Sequence, residues 1–350
     1  MAAVDEGSAS ALASSGLGAD LVGRVEELSA EFFADAAEVD SASIVPAAHI
    51  SALASAGLYG IFAPVLAGGL GLGYEAACAI VEELASSCLA STFVWVQHFR
   101  FLGAMVDPST PADLRSTFLA PAVRGDVKAG VALTGLLPGP ARLSARPAPG
   151  GWLLEGEAPW VSGWGVVDLV FVVARGPDET VVSLLLDGCP QPGLTVEPVR
   201  LSAANASATV RLVFAGAFVA EDRVVRLEPY EVARRTSERL RLNGSFALGV
   251  AGRSCALLGP SPLDEELNAR RAGLDAADDE AMPLARARAG ELAVRAAHAL
   301  AVHRGARSAI AGDVAERLTR EAAFLLVFGS RAGIKHGLLQ AFGAEGPAGA

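Results

Sequence analysis

Residues 152–175 constrain the fold of this chain more than any other stretch, because they hold three strand-like runs in close succession. A Gly-Glu-Ala-Pro segment separates the first run, residues 152–156, from the second, residues 160–162. It predicts a turn, since glycine permits positive φ and proline fixes its own φ. The third run, residues 166–175, is dense in β-branched residues. The stretch therefore predicts short, closely spaced β-strands.

The end of the second strand reads Trp-Val-Ser-Gly-Trp over residues 160–164 and sets large aromatic side chains beside a single hydroxyl. Such a strand end suits a flat heteroaromatic ligand, which packs against the indole and meets the hydroxyl through a ring nitrogen. The alternative is a β-sheet core with two buried tryptophans and a turn serine. Composition alone does not decide between these two interpretations.

The hydrophobic pattern divides the 350 residues into four parts. Residues 1–20, rich in Ser, Ala and Gly, predict a mobile tail, and residues 21–127 predict an N-terminal helical domain. Residues 128–228 predict a middle antiparallel β-barrel or sandwich domain, and residues 229–350 a C-terminal bundle of four-helix type. The predicted fold class is therefore α+β.

Composition excludes several classes of protein. The net charge of −11 argues against nucleic acid as a partner, because such binding needs basic patches. The long uncharged run over residues 41–74 is interrupted by Pro46 and Pro64, so no membrane span is expected. The N-terminus lacks the basic region of a signal peptide, and the four cysteines form no metal-binding spacing. A cytoplasmic protein without a metal site is predicted.

The strip Trp160-Val161-Ser162 resembles the Trp-Ile-Thr-type strip that the acyl-CoA dehydrogenase family presents to FAD. The Gly-Trp pair that follows it is similar to actinobacterial members of that family. The resemblance implies FAD as cofactor, with Ser162 hydrogen-bonded to flavin N5 and Trp160 packed against the isoalloxazine. It also implies that Thr134, in a Leu-Thr pair at the start of the β-domain, contacts the flavin edge.

Other family motifs are missing. The Gly-Ser-Asp segment that helps to hold the thioester ligand does not follow Thr134, and the Arg-x-x-Phe-Gly and Gln-x-x-Gly-Gly motifs for the phosphate and adenosine parts of FAD are absent. Pyrophosphate needs arginines or helix N-termini. Arg304, Arg307 and Arg331 are the candidates to replace these motifs, with Arg331 assigned to the cofactor site; the alternative is that they are surface arginines.

Residues 316–324 resemble the family's Glu-Arg-x-x-Arg-Asp-Ala segment. Counting on from it, Gly329 stands where typical members carry the glutamate that removes the α-proton. Some branches of the family keep this base on the helix that opens the bundle, just before an arginine, and Glu238-Arg239 is similar. A carboxylate in a dry pocket has a raised pKa, which suits a general base. The alternative for Glu238 is a solvated glutamate at a helix start.

The resemblance implies a flavin-dependent oxidoreductase of fatty acid metabolism that desaturates an acyl thioester such as an acyl-CoA, with hydride transfer to N5 of FAD. Two alternatives keep the fold: a flavin-dependent monooxygenase, which needs no α-proton base, and a base-less subunit completed by a base-containing paralogue. A homodimer or homotetramer is expected, because the alanine-rich helix over residues 281–303 would otherwise leave apolar faces in water.

Overall fold

The computed structural model describes Leu12 and residues 16–236, 240–329 and 331–344. Helices come first, strands follow, and helices return, so the predicted α+β class is confirmed. The first helices are α1 (Ala19–Ser41), α2 (Ala47–Ser55), α3 (Tyr74–Ser87), α4 (Leu89–Val106) and α5 (Ala112–Arg124). The strands are β1 (Ala129–Ala132), β2 (Leu143–Ala148), β3 (Gly151–Val161), β4 (Leu169–Arg175), β5 (Thr180–Asp187), β6 (Leu194–Pro198), β7 (Val210–Ala220) and β8 (Val224–Pro229). The last helices are α6 (Tyr230–Thr236), α7 (Leu240–Leu258), α8 (Pro262–Asp275), α9 (Met282–Arg304), α10 (Val314–Val327) and α11 (Ala332–Ala341).

Two separate helices, α3 and α4, cover residues 74–106, with a break between them. The chain breaks at Cys88, whose φ of −142° and ψ of 102° are extended. The break lets α3 pack against α1 and α7 while α4 packs against β1. A continuous helix would carry the second half away from the strands that it covers.

The eight strands form one sheet with the order β6-β7-β3-β2-β4-β5-β8, and β1 pairs with β4. Neighbouring strands are antiparallel except at β4, which pairs in parallel with β1 and at one residue pair with β2. The predicted antiparallel β-domain therefore has a parallel exception at β4. Between β1 and β4 the chain forms the antiparallel pair β2 and β3, so a long connection joins β1 to β4, as parallel pairing requires.

Strand β3 runs through the segment that the sequence predicts as a turn. Gly156 pairs with Phe214 and Ala158 with Leu212, so the strand continues as a partner of β7. The register shifts between Ala158 and Val161, where Pro159 and Trp160 lie in a bulge. Proline cannot donate to the ladder, and a bulge is one of the places in a sheet that accepts it. The Gly-Pro signal therefore marks a bulge and not a reversal.

Strand β4 is buried on both faces, which explains its unbroken hydrophobic run. Phe171 and Val173 pack into the core that the sheet shares with the helices, whereas Val170 and Val172 pack into the second core inside the curved sheet. Strands covered on both faces read as continuous apolar runs. The sheet is thus fixed between its own core and the helices.

His98 links the first helices to the sheet. Its Nε2 donates to the carbonyl of Ala122 at 3.1 Å, and its Nδ1 accepts the amide of Ala129 at 3.3 Å. Burial lowers the pKa of His98 to about 3, so the ring is neutral and holds one tautomer. His98 is a satisfied core residue that joins α4, α5 and β1.

Three of the four cysteines are buried, as expected of small hydrophobic residues, but Cys189 is exposed after β5. The described residues hold no group of histidines, cysteines or carboxylates arranged for a metal ion. Within the same part of the chain, every helix is too short or too polar to cross a bilayer.

We expect Asp107→Asn to weaken the joint between α4 and the sheet. Asp107 accepts hydrogen bonds from the backbone and hydroxyl of Ser109 and from Arg226 of β8, and these lower its pKa to about 2. Its charge therefore stabilises the native state fully above the unfolded value near 4, and this contribution is lost as the pH falls towards 2. Urea unfolding at pH 7 should show a loss of roughly 0.2–1 kcal/mol, the scale of a half-exposed ion pair.

The difference between wild type and Asp107→Asn should shrink between about pH 4 and pH 2. Asp222→Asn is the control, since Asp222 is exposed and forms no ion pair that the described contacts record. A difference that persists at pH 2 would contradict the role of the charge.

Candidate functional site

A cavity of about 420 Å³ lies where the first helices, the sheet and the last helices meet. This volume is within the about 300–1,000 Å³ usual for small-molecule sites. We call it the aromatic cavity. Its lining residues are Phe93, Gln97, Val131, Ala132, Leu133, Thr134, Leu137, Ala158, Pro159, Trp160, Ser162, Leu201, Thr209, Phe324, Val327, Phe328 and Gly329.

Trp160 and Ser162 both line the aromatic cavity, and Val161 between them does not. Val161 is fully buried in the core inside the sheet, because successive side chains of a strand point to opposite faces. Trp160 lies in the bulge with 67% of its side chain exposed, whereas Ser162 is 3% exposed. The strand end thus offers the cavity one indole at its rim and one hydroxyl deeper inside.

Trp164, which lies two residues after the strip Trp160-Val161-Ser162, is partly buried and packs against the core inside the sheet. Each of the two sequence interpretations, a ligand site and a β-sheet core, therefore applies to one of the two tryptophans. Trp164 belongs to the β-sheet core, and Trp160 belongs to the cavity.

Thr134 also lines the aromatic cavity and is 8% exposed. It lies in the short 3₁₀ turn Thr134–Leu136 that follows β1. Arg331 does not line the cavity; it is the exposed N-cap residue of α11, two residues after Gly329. Glu238 lies outside the described residues. The roles of these residues towards a cofactor or a substrate stay predictions.

The arginines considered for a phosphate group are not gathered at the cavity. Arg304 pairs with Asp313 at 2.8 Å, and Arg307 is exposed in the 3₁₀ turn after α9. No lysine or arginine is present in the described lining of the aromatic cavity. The described walls fit an uncharged group.

Ser162 is one end of a chain of hydroxyl groups that the sequence analysis missed. Its Oγ lies 2.7 Å from Thr209 Oγ1, which lies 2.8 Å from Ser207 Oγ. Val161 pairs with Val210, so the next positions outward, Ser162 and Thr209, face each other. Only the register of β3 against β7 brings these hydroxyls together, and no local sequence pattern signals it.

The loop that carries Ser207 is fastened to the end of β3. The amide of Gly163 donates to the carbonyl of Ser207 at 2.7 Å, and the amide of Trp164 donates to Ala208 at 3.3 Å. Ala208 has φ of 46° and ψ of 47°, in the left-handed region that favours glycine. A non-glycine residue there costs about 1–3 kcal/mol and persists only where its surroundings enforce it. Strain of this kind concentrates at functional sites.

Phenylalanines form the wall opposite the strand end. The ring centroid of Phe93 in α4 lies 4.8 Å from that of Phe328 and 5.9 Å from that of Phe324, both edge to face. Phe246 of α7 completes the cluster at 5.8 Å from Phe328. Aromatic pairs in this arrangement stabilise by about 0.5–1.5 kcal/mol beyond their area burial. No local sequence pattern predicts that these phenylalanines meet, because they come from three separate segments of the chain, in α4, in α7 and at the end of α10.

Gly329 closes the cavity wall next to the side chain of Asn243. Its φ is 59°, and a Cβ atom at this position would lie 2.7 Å from Asn243 Nδ2. Asn243 in turn accepts a hydrogen bond from Nε of Arg286, which is fully buried and also donates to the carbonyl of Leu325 at 2.7 Å. The space beside Gly329 is thus filled by an amide that a buried guanidinium holds in place.

Burial lowers the pKa of Arg286 to about 10, yet the group remains charged at neutral pH. Its Nη1 has no hydrogen-bond partner among the described residues. A buried charge tolerates little disturbance of the partners that it has. Displacing Asn243 would therefore be costly.

The described lining of the aromatic cavity contains no carboxylate. Two of the buried glutamates, Glu82 and Glu321, lie elsewhere and are engaged in ion pairs. Glu82 pairs with Arg271, and Glu321 pairs with Arg317 at 3.0 Å. Burial raises the pKa of both glutamates in spite of their arginine partners. These two pairs join helices or stiffen one helix, and neither glutamate reaches the cavity wall.

Two further cavities lie along α4. One of about 360 Å³ shares Leu133 with the aromatic cavity and includes Arg100 and Arg226. The other, of about 580 Å³, shares Gly103 with the second and includes Leu240 and Arg241, which follow shortly after Glu238 in the sequence. Arg100, Arg226 and Arg241 therefore line these two cavities and not the aromatic cavity.

Residues 20–126 match the family model described as acyl-CoA dehydrogenase, N-terminal domain. The chain is 27% identical over 234 residues to the human mitochondrial short-chain specific acyl-CoA dehydrogenase, covering 63% of this chain and 56% of that enzyme. It is 26% identical over 232 residues to the benzylmalonyl-CoA dehydrogenase of Aromatoleum aromaticum, covering 62% of this chain and 60% of that enzyme. The matches thus span a little over half the length of these curated relatives.

Solved structures match over nearly the whole chain. A glutaryl-CoA dehydrogenase from Mycobacterium smegmatis in complex with FADH2 has a TM-score of 0.76 at 16% identity, covering 95% of this chain and 96% of that one. A dibenzothiophene monooxygenase from a Paenibacillus species has a TM-score of 0.74 at 18% identity, covering 95% and 99%. The chain has the acyl-CoA dehydrogenase fold. Its N-terminal helices match the family model, and about two thirds of the chain is similar in sequence to curated acyl-CoA dehydrogenases.

Within this acyl-CoA dehydrogenase fold, we expect Gly329→Ala to lower the free energy of unfolding by about 2–3 kcal/mol. About 1 kcal/mol comes from the left-handed backbone, and the rest from crowding of Asn243. Gly68→Ala is the matched control, since Gly68 has φ of 83° and ψ of 9° and an added Cβ would meet only an ordinary contact at 3.8 Å. Thermal and urea unfolding of both variants check the expectation. Equal losses in the two variants would show that Asn243 moves aside without cost.

Proposed function

We propose that this protein is a flavin-dependent oxidoreductase whose flavin ring occupies the aromatic cavity. One observation carries the proposal: Trp160, Ser162 and Thr134 line the same cavity of about 420 Å³. The phenylalanines Phe93, Phe324 and Phe328 line it as well. Similarity to acyl-CoA dehydrogenases supports the oxidoreductase class. One solved neighbour holds FADH2, and the Paenibacillus monooxygenase has also been solved with FMN.

The residues present fit a flavin ring. Aromatic side chains offer faces and edges for packing, and the hydroxyls of Ser162 and Thr134 offer hydrogen bonds to ring nitrogen or oxygen atoms. The described lining has no charge, which suits a neutral heteroaromatic group better than a phosphate. When bound, a flavin supplies the acceptor for a hydride from the substrate. The chain's own residues orient the ring and exclude water from it.

For the cofactor we propose FAD, with Arg331 near its phosphates. Arg331 is exposed and follows two residues after Gly329 of the cavity wall. Arginine forms paired hydrogen bonds with phosphate oxygens and keeps its charge at all working pH values. Because the described cavity walls carry no cation, the phosphate part would lie outside the aromatic cavity.

The reaction that we propose is α,β-desaturation of an acyl thioester such as an acyl-CoA. An α-proton must then leave to a base, and the described cavity lining contains no carboxylate. We propose Glu238 as that base, because it precedes Arg239 where some branches of the family keep theirs, while Gly329 stands at the position of the usual glutamate. The carboxylate of Glu238 would take the α-proton as the β-hydride leaves the substrate.

The missing carboxylate favours a second candidate function. A flavin-dependent monooxygenase of the same fold needs no α-proton base, and a solved neighbour carries that description. A base-less subunit completed by a base-containing paralogue would also agree with a neutral cavity wall. Fold similarity alone does not choose between these reactions.

We further propose a homodimer or homotetramer in the cytoplasm. The reason expected from the sequence does not hold, because alanines of α9 such as Ala289, Ala293 and Ala297 are fully buried within the chain. Exposed apolar side chains at the other end of α9 and beyond it, Val302 at 83% and Ile310 at 63%, support the proposal instead. Sedimentation of the purified protein as a monomer would contradict it.

Binding of flavin is the direct test of the proposal. We expect the purified protein to bind FAD and to acquire a visible flavin spectrum that is perturbed by the aromatic wall. Trp160→Ala should weaken binding by about tenfold or more, since it removes a large packing surface at the cavity rim. Trp164→Ala is a comparison at a tryptophan that does not line the cavity. If neither FAD nor FMN binds to the wild type, the proposed function is wrong.

We expect Glu238→Gln to lower the turnover of acyl-CoA desaturation by about 10²–10⁴-fold while leaving the flavin content unchanged. The amide keeps the size of the side chain but cannot accept the α-proton. Glu231→Gln is the control, since Glu231 is an exposed glutamate of α6 that pairs with Arg234. A change of less than about twofold in an active dehydrogenase would remove Glu238 from the mechanism.

A further inference from the structure

Three buried hydroxyl groups form one hydrogen-bonded chain that ends in the aromatic cavity. Ser207 Oγ lies 2.8 Å from Thr209 Oγ1, and Thr209 Oγ1 lies 2.7 Å from Ser162 Oγ. Their exposed fractions are 0%, 4% and 3%. Ser162 and Thr209 line the cavity, whereas Ser207 does not. Because the chain is sheltered from bulk water, its hydroxyls depend on one another and on whatever occupies the cavity.

The number of protons leaves two arrangements for the hydrogen bond between Ser162 and Thr209. Each hydroxyl carries one proton to donate and can accept hydrogen bonds as well. In the first arrangement Ser207 donates to Thr209 and Thr209 donates to Ser162, so the Ser162 proton is free to point into the cavity. In the second, Ser162 donates to Thr209, and Thr209 donates to Ser207 or accepts from it, so Ser162 offers only lone pairs. Both arrangements keep both hydrogen bonds within the chain, and only rotation of the hydroxyls separates them.

The backbone holds the chain at a fixed length. The amide of Gly163 donates to the carbonyl of Ser207 at 2.7 Å, which ties the two ends of the chain together from behind. Ala208, between Ser207 and Thr209, keeps φ of 46°, a strained value that its surroundings must enforce. The spacing that suits two hydrogen bonds is therefore built into the loop.

We propose that this hydroxyl chain reverses its direction with the redox state of the group in the cavity; the inference rests on the proposed flavin. N5 of an oxidised flavin has only a lone pair to offer, and N5 of a reduced flavin carries a proton. Ser162 donates to N5 in the first case and accepts from it in the second. In the second case Thr209 accepts a hydrogen bond from Ser162 and can donate its own to Ser207. Thr209 and Ser207 are positioning residues that act through Ser162.

The test compares the affinities of oxidised and reduced flavin. FAD and FMN are titrated under anaerobic conditions, in oxidised and dithionite-reduced form, into wild type, Thr209→Val, Thr209→Ser and Ser207→Ala. In Thr209→Val, the hydroxyl of Ser162 still donates to N5 of oxidised flavin. With reduced flavin, the hydroxyl oxygen of Ser162 accepts from N5–H, and the Ser162 proton then has no acceptor. The ratio of the Kd for reduced flavin to the Kd for oxidised flavin should therefore rise about tenfold, the usual penalty for one unmade buried hydrogen bond.

For a two-electron couple a tenfold change in this ratio corresponds to a midpoint potential lowered by about 30 mV, which dye-equilibration spectroscopy measures independently. Thr209→Ser restores the hydroxyl and should stay within about twofold of the wild type. Ser207→Ala should shift the ratio in the same direction by a smaller factor, because it shortens the chain without exposing Ser162.

An unchanged ratio in a flavin-bound Thr209→Val protein overturns the inference and leaves the proposed function standing. Equal shifts in Thr209→Val and Thr209→Ser also overturn it, since they would point to packing and not to the hydroxyl. If the valine variant does not fold, Ser207→Ala decides, and an unchanged ratio there overturns the inference. A wild type that binds neither FAD nor FMN overturns the proposed function and this inference with it.

Discussion

The pairing of β3 with β7 is the constraint on which the rest of the site depends. Val161 opposite Val210 sets Ser162 against Thr209, and the amide of Gly163 then reaches the carbonyl of Ser207. A shift of one residue would turn every side chain of the strand end to the other face of the sheet. The indole of Trp160, the hydroxyl of Ser162 and the loop before β7 would no longer face one cavity. The bulge at Pro159 is the local device that frees Trp160 from the ladder.

The helices complete the cavity from the other side through a few long-range contacts. Arg320 of α10 pairs with Asp40 of α1 and donates to the carbonyl of Ser202 at 3.0 Å, so it joins both groups of helices to the loop before β7. On either side of Arg320 in α10, Arg317 and Glu321 form a buried pair. Buried ion pairs contribute little net stability, but the loss of one partner is costly. The segment that resembles a family motif thus contributes to the positioning of the wall that contains Phe324 and Phe328.

A neutral cavity wall has a direct chemical consequence. A hydrogen bond from the hydroxyl of Ser162 or Thr134, which are 3% and 8% exposed, would be stronger in such surroundings than in water. The same wall provides no described group that could remove a proton from carbon. Proton transfer must then come from a residue outside the described lining or be absent from the reaction. The relatives include dehydrogenases and a monooxygenase, so the fold accommodates either outcome.

The sequence by itself determined the order of helices, strands and helices, because hydrophobic periodicity and turn residues are local properties. It also singled out Trp160 and Ser162 as residues of a possible site, since an exposed aromatic strip is unusual for a strand end. It did not determine that the Gly-Pro segment continues a strand, because only a partner strand distinguishes a bulge from a turn. The break at Cys88 likewise depends on what each helix packs against.

Only the tertiary structure decided the composition of the site. Thr209 and Ser207 meet Ser162 through strand register, Phe93 meets Phe328 through helix packing, and Gly329 is opposed by an amide that Arg286 holds. Each of these contacts joins residues that are far apart in the chain or that no local pattern relates. Their physical cause is the packing of the sheet between its own core and the helices, which brings unrelated segments to one cavity.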